Sequence, residues 1–145
     1  MRHRKAGKQL SRNSGHRRAL LRNMVTSLIK HGEIETTDTK AKVLRPIAER
    51  IISLAKEGDL PARRRALSYL QEKDAAHRLF DELKGVVQGR AGGYISIVKK
   101  GNRKGDGAPV SIMRIIDAEK AGEKAKPKKS VAKAVDEKGK TAAGS

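Results

Sequence analysis

Ile34-Glu35-Thr36-Thr37-Asp38-Thr39-Lys40-Ala41-Lys42-Val43-Leu44 holds the end of one kind of backbone and the start of another. Ile34 to Thr37 is rich in β-branched side chains and predicts a short extended stretch. Thr37 or Asp38 then offers a side-chain oxygen to the open N–H groups of a following helix. Val43, Leu44, Ile47, Ala48, Ile51, Ile52 and Ala55 recur at a 3.6-residue period and predict a helix to about Glu57. Lys42, Arg45, Glu49, Ser53 and Lys56 fall on its other side. Pro46 lies on the polar edge and predicts a kink, because it has no N–H and its ring meets the preceding turn. Gly58 ends the element.

Upstream, Leu20, Leu21, Met24, Val25, Leu28 and Ile29 form one apolar face of a helix from about 15 to 31. Arg22, Asn23, Thr26 and Lys30 fall opposite, and Arg17 points toward the apolar side by phase. Asn13 or Ser14 caps the start, and Gly32 suits a left-handed stop. Downstream, Asp59 caps a third helix with Pro61 in its first turn, Arg63, Arg64 and Arg65 on it, and Ala66, Leu67 and Leu70 inward. Asp74 opens a fourth, with Ala75, Ala76, Leu79, Phe80 and Leu83 inward and Gly85 as its stop. The period then changes. Tyr94–Lys99 and Val110–Ile116 read as strands joined by the loop Gly101–Ala108, and Ile34–Thr37 supplies a third. The fold class is α+β: about three strands packed with about four helices, in a domain spanning 1–117. Phe80, Tyr69 and Tyr94 are its aromatic residues, so the core is mostly aliphatic.

The two ends read differently. Residues 1–13 are Arg- and Lys-rich with no apolar period, an arm that orders itself on a partner. Residues 118–145 hold eight Lys and four acids, Glu119, Glu123, Asp136 and Glu137, with no useful apolar face. They predict a disordered, Lys/Ala-rich tail. Over 145 residues, 34 Lys and Arg face 16 Asp and Glu, a net charge of +18. Its placement is uneven: Arg2, Arg4, Lys5, Lys8, Arg12, Arg17, Arg18, Arg22 and Lys30 all precede the first acid, Glu33. Such a chain repels itself, and a polyanion relieves that repulsion while releasing counterions. An anionic membrane surface fits less well, since the arm has little apolar anchor besides Leu10. No apolar run reaches a membrane-spanning length of ~20 residues, and no signal-peptide pattern follows the basic start. The cytoplasm is the expected compartment.

Catalytic chemistry finds little support. With no Cys, disulfides, thiolate metal sites and Cys nucleophiles are excluded. His3, His16, His31 and His77 have no ligand spacing, so no metal is expected. The adjacent pair Asp81-Glu82 diverges on a helix. Gly89 to Gly93 and the Gly101, Gly105, Gly107 loop lack the Lys-Ser/Thr of a phosphate-binding loop and the spacing of a dinucleotide fingerprint. Three aromatic residues are too few for a stacking platform, and neither a zipper nor a zinc finger is present. What remains is phosphate and shape recognition of folded RNA through Arg, Lys and a flexible arm. No cofactor and no small-molecule substrate are implied.

Several stretches carry a resemblance: Ile34-Glu35-Thr36-Thr37 with Lys40-Ala41-Lys42, then Glu49, Ile51-Ile52-Ser53 and Ala55-Lys56. Met1-Arg2-His3-Arg4-Lys5, Leu10, His16-Arg17, Arg90-Ala91-Gly92-Gly93-Tyr94, Gly101, Gly105-Asp106 and Ala108-Pro109 extend it over roughly residues 1–117. In order and spacing these resemble the ribosomal protein seventeen family of the bacterial large subunit. The resemblance implies a small mixed sheet, an extended arm and assembly on large-subunit (23S) ribosomal RNA near the peptide exit tunnel. Neighbouring large-subunit proteins are implied contacts, with a structural role in translation and no catalysis. It points to Arg2, His3, Arg4, Lys5, His16 and Arg17 as RNA contacts. Lys40 and Lys42 either reach phosphate or face solvent, and Thr36 and Thr37 double as strand end and helix cap. Arg90 beside Gly92-Gly93 is a further contact point. Charge placement adds Lys8, Arg12, Arg18, Arg22, Lys99, Lys100, Arg103 and Lys104. Competing readings are a nucleoid-associated DNA-binding protein, for which the Lys/Ala tail speaks, and a small basic nuclease or RNA-modifying enzyme.

Overall fold

The computed structural model describes residues 7–116. The first helix, α1 (Ser14–His31), starts where Asn13 Oδ1 accepts the His16 N–H at 2.8 Å. It stops where Gly32 adopts φ 80° and returns its N–H to the Leu28 carbonyl. That positive φ is the conformation a side chain would strain. Strand β1 (Glu33–Thr37) follows at once and runs straight into α2 (Asp38–Glu57). Asp38 does not cap that helix. One of its oxygens accepts from Ser111 Oγ at 3.1 Å and the other pairs with Lys42 at 2.7 Å, so it ties the helix start to the sheet. The Lys42 ammonium, with help from Ser111, holds the Asp38 carboxyl below its usual range. The helix continues across Pro46 to Glu57, with the proline ring on its exposed side.

Three further helices follow: α3 (Leu60–Tyr69), α4 (Lys73–Asp81) and α5 (Leu83–Val87). The pattern predicts one helix stopping at Gly85, whereas the helix breaks at Glu82 and restarts with Gly85 inside its last turn. The break lets Leu83 and Val87 both turn inward. Leu67, expected inside, is 43% exposed, because the small Ala62 and Ala66 form the seam of α3 against its neighbours.

Strands β2 (Ile95–Asn102) and β3 (Pro109–Ile115) complete a sheet of order β1-β3-β2. Both pairings are antiparallel, which corrects the expectation of a mixed sheet. The reason is the place of β3. It returns from β2 through a loop, hence antiparallel, and inserts between β2 and β1, which run in the same direction but never meet. Strand β2 extends three residues past Lys99 because a bulge between Lys99 and Gly101 lets the pairing resume with Val110.

The core lies between the helices and one face of this sheet. Val25, Leu28 and Ile29 of α1, Leu44 and Ile52 of α2, and Leu79 and Leu83 meet Ile95, Met113 and Ile115 there. Each such side chain contributes about 1.5–3 kcal/mol on burial. Two backbone bonds lock the end of β3: Ile115 N–H donates to Gly32 and Ile116 N–H to Tyr94, both at 2.9 Å.

Candidate nucleic-acid interface

The cations sort into those the fold uses and those it leaves to solvent. Arg2, His3, Arg4 and Lys5 lie outside the described residues. Lys8, His16 and Arg18 are exposed and Arg17 is half-buried. Leu10 and Ser11, at φ 55° and 52°, turn the chain before α1. Arg12 braces this turn: its Nη1 donates to the Leu10 carbonyl at 3.0 Å. Its Nε is buried without a partner among the described residues. The first turn of α1 contains no acid, so its open N–H groups and the flanking cations present one sign of charge. The opposite side of the same helix supplies Leu21, Val25, Leu28 and Ile29 to the core.

Two cations of α1 serve the fold: Lys30 pairs with Glu72 at 2.8 Å, and Arg22 reaches α3. The Arg22 Nε donates to the Tyr69 carbonyl at 2.7 Å and its Nη2 to the Ser68 carbonyl at 2.8 Å. The guanidinium also stands 5.7 Å from the centre of the Tyr69 ring. Its donors serve the end of α3.

A second group collects at the other end of the sheet. Lys40 and Arg103, far apart in sequence, line one open groove with Glu35, Thr36, Thr37 and Val110. Lys42 is held by Asp38, and Lys100 reaches across β3 to Glu35 at 2.5 Å. Arg103 and Asp106 form a fork, at 3.0 and 2.5 Å, and Asp106 also accepts the Ala108 N–H. This fork lowers the Asp106 carboxyl to about 2 and raises Arg103 further. The 103–108 loop is thus a preset structure and not a slack connection. Lys99 and Lys104 are exposed beside it. Arg90 sits at a third place, where its carbonyl accepts from Lys56 Nζ at 3.1 Å and Tyr94 Oη at 3.3 Å.

Helix α3 adds cations that the motif reading left out. Its ten residues contain Arg63, Arg64 and Arg65 and no acid. Arg65 pairs with Glu57 at 3.0 Å, and Arg63 lies over the Phe80 ring at 5.1 Å with Asp81 3.5 Å away. Arg64 is exposed. The signal was present in the sequence as an Arg triplet on a helix without counter-charge.

Among the described residues, no three His, Cys, Asp or Glu side chains gather where they could hold a metal ion. No described helix is long and apolar enough to cross a membrane. The arrangement offers what phosphate recognition needs: charged donors at several separated points, with Lys8, Arg18, Lys99 and Lys104 exposed.

Comparison with known proteins bears on the same residues. A family model described as ribosomal protein L17 matches residues 20–116, which is α1 from its second turn through β3. Large ribosomal subunit protein bL17 of Desulforapulum autotrophicum is 52% identical over 116 residues, covering 80% of this chain and 97% of the relative. The protein of the same name from Desulfotalea psychrophila is 51% identical over 116 residues, covering 80% and 90%. That from Allorhizobium ampelinum is 47% identical over 130 residues, covering 87% and 92%. A family match across all of the sheet and four whole helices, with relatives at about half identity along nearly their full length, leaves one conclusion: the chain belongs to the ribosomal protein L17 family.

Proposed function

We propose that this chain is a structural constituent of the bacterial large ribosomal subunit, holding folded large-subunit ribosomal RNA in the cytoplasm and performing no catalysis. Residues 1–117 are the RNA-binding domain with its arm at 1–13, and 118–145 are an appended tail. Neighbouring large-subunit proteins share the assembly. The observation that carries the RNA reading is the division of labour along α1 and the segment before it. Nine cations precede the first acid; Arg22 and Lys30 among them are engaged by the fold, the remaining seven lie at or before the first turns of α1, and the apolar side of the helix is committed to the core. The grip and the fold are therefore separable. Lys8, Arg12, His16, Arg17 and Arg18 carry the interface on from Arg2, His3, Arg4 and Lys5. Lys40, Lys42, Arg90, Lys99, Lys100, Arg103 and Lys104 supply the further points of attachment.

Deleting residues 2–12 tests this. It removes Arg2, Arg4, Lys5, Lys8 and Arg12 and no core residue. The salt slope of binding to large-subunit RNA should fall by about 4–5 if each cation neutralises one phosphate. Thermal unfolding of the free domain should stay nearly unchanged. Equal slopes for the two proteins would place the grip elsewhere. Sedimentation at physiological salt gives the coarser check, since the full chain should travel with the large subunit and not with the chromosome.

A further inference from the structure

Between α3 and α4 lies a pocket of about 130 Å³ lined by Arg63, Leu67, Lys73, Ala76 and His77. Three features set it apart from the rest of the surface. Its walls are apolar, yet Leu67 stays 43% exposed and Leu60, two turns earlier on the same face of α3, is 61% exposed. Cations belong to its lining: Lys73 and Arg63, the latter with Asp81 beside it, and the exposed Arg64 follows Arg63 on α3. Finally, the Arg63 guanidinium lies over the Phe80 ring, which fixes a flat cationic surface at the edge of the cavity. Asp81 lies 3.5 Å from Arg63 and 3.9 Å from His77.

We infer that this pocket receives one splayed-out nucleobase of the RNA, a reading that rests on the RNA-binding role proposed above. The pocket encloses about 130 Å³. That is room for a flat ring system and far too little for a helix. An unstacked base has apolar faces to lay on Leu67 and the guanidinium, and its flanking phosphates answer Lys73 and Arg64. An apolar side chain from a neighbouring protein would fill the cavity but leave those cations without a counter-charge. That charge thus selects a nucleotide over a protein side chain.

The test uses the full chain and large-subunit RNA. Leu67→Ala should weaken binding by roughly threefold to tenfold, the range for covering the exposed part of one leucine side chain. Because no charge is lost, the weakening should be the same at every salt concentration, unlike the arm deletion. Leu67 is a surface residue, so unfolding curves should overlay. Unchanged affinity, or a change in salt slope with no change at low salt, overturns the proposal. A photo-crosslinking phenylalanine derivative at position 67, in chains assembled into large subunits, gives an independent readout. An adduct to a single RNA nucleotide supports the base pocket; an adduct to a protein, or none, overturns it. Failure of the wild-type chain to bind large-subunit RNA at all would instead sink the RNA-binding role itself.

Discussion

Arg22 closes the end of a helix to which it does not belong. The last turn of α3 has no basic residue of its own, and Arg22 reaches from α1 to the Tyr69 and Ser68 carbonyls. A cation at that end satisfies open carbonyls and opposes the helix dipole. Arg22→Ala should lower stability by about 1.5–3 kcal/mol, as for a lost charged hydrogen bond, and leave the salt slope of RNA binding alone. Arg18→Ala should do the reverse: stability within about 0.5 kcal/mol and a slope reduced by about 1. Denaturant titration beside binding at several salt concentrations separates the two. Asp106 gives a pH test at the same scale. Its carboxyl sits at about 2 because Arg103 and the Ala108 N–H both donate to it. A lowered folded value means the loop clip is complete above the ordinary carboxylate value of 3.8 and is lost as pH falls from there through about 2. Following the Asp106 carboxyl and the Ala108 amide by NMR should show both titrating together near that lower value; titration near 3.8 would mean the clip is open in solution. Helical phase makes Arg22 and Arg18 look alike in sequence. Only the packing of α3 beside α1 distinguishes them, and phase says nothing of that.

At the scale of elements, α1 and α2 were legible because each carries an apolar period closed by a glycine, and the three strands because each is a β-branched run, though β2 continues past Lys99 through its bulge. Gly32 and Gly58 stop the helices in the left-handed region, at φ 80° and 71°. The long apolar stripe of α2 outweighs Pro46, so the helix does not end at Arg45. The stretch from Asp74 to Val87 was less legible. Leu83 continues the apolar pattern of α4, and nothing in the period marks the break at Glu82. Leu67 misleads in the opposite way, since an apolar residue at a plausible phase reads as core when smaller alanines already form the seam. The proposed RNA contacts share this limit: charge placement finds cations but does not show that Lys42, Lys100 and Arg103 each hold an acid. Pro46 invites a direct measurement. Its missing N–H leaves the Lys42 carbonyl without its helical donor, and its ring crowds that carbonyl. Pro46→Ala should raise stability by about 1–3 kcal/mol, less whatever the freer unfolded chain recovers. A higher urea midpoint at unchanged slope is the expected result; a large loss would mean that α2 needs a bend there to pack.

For the molecule as a whole, every buried apolar residue lies between Leu21 and Ile115 among the described residues. A chain ending at residue 117 should therefore fold with the same unfolding midpoint as the full chain and still enter large subunits. Failure of either would move the domain boundary into the tail. The central place of β3 has a different kind of consequence, one set by the direction of synthesis. Glu33 and Arg114, partners in the sheet, are 81 residues apart, and β1 and β2 pair their backbones only with β3, the Lys100–Glu35 ion pair being a side-chain bridge across it. Translation delivers the cationic N-terminal residues first and, among the described elements, the strand that joins the sheet last. Until residues 109–115 emerge, neither flanking strand has the partner it pairs with in the sheet. A message cut short before Pro109 would then yield not a smaller stable domain but a fragment prone to aggregate, already carrying the full set of N-terminal cations.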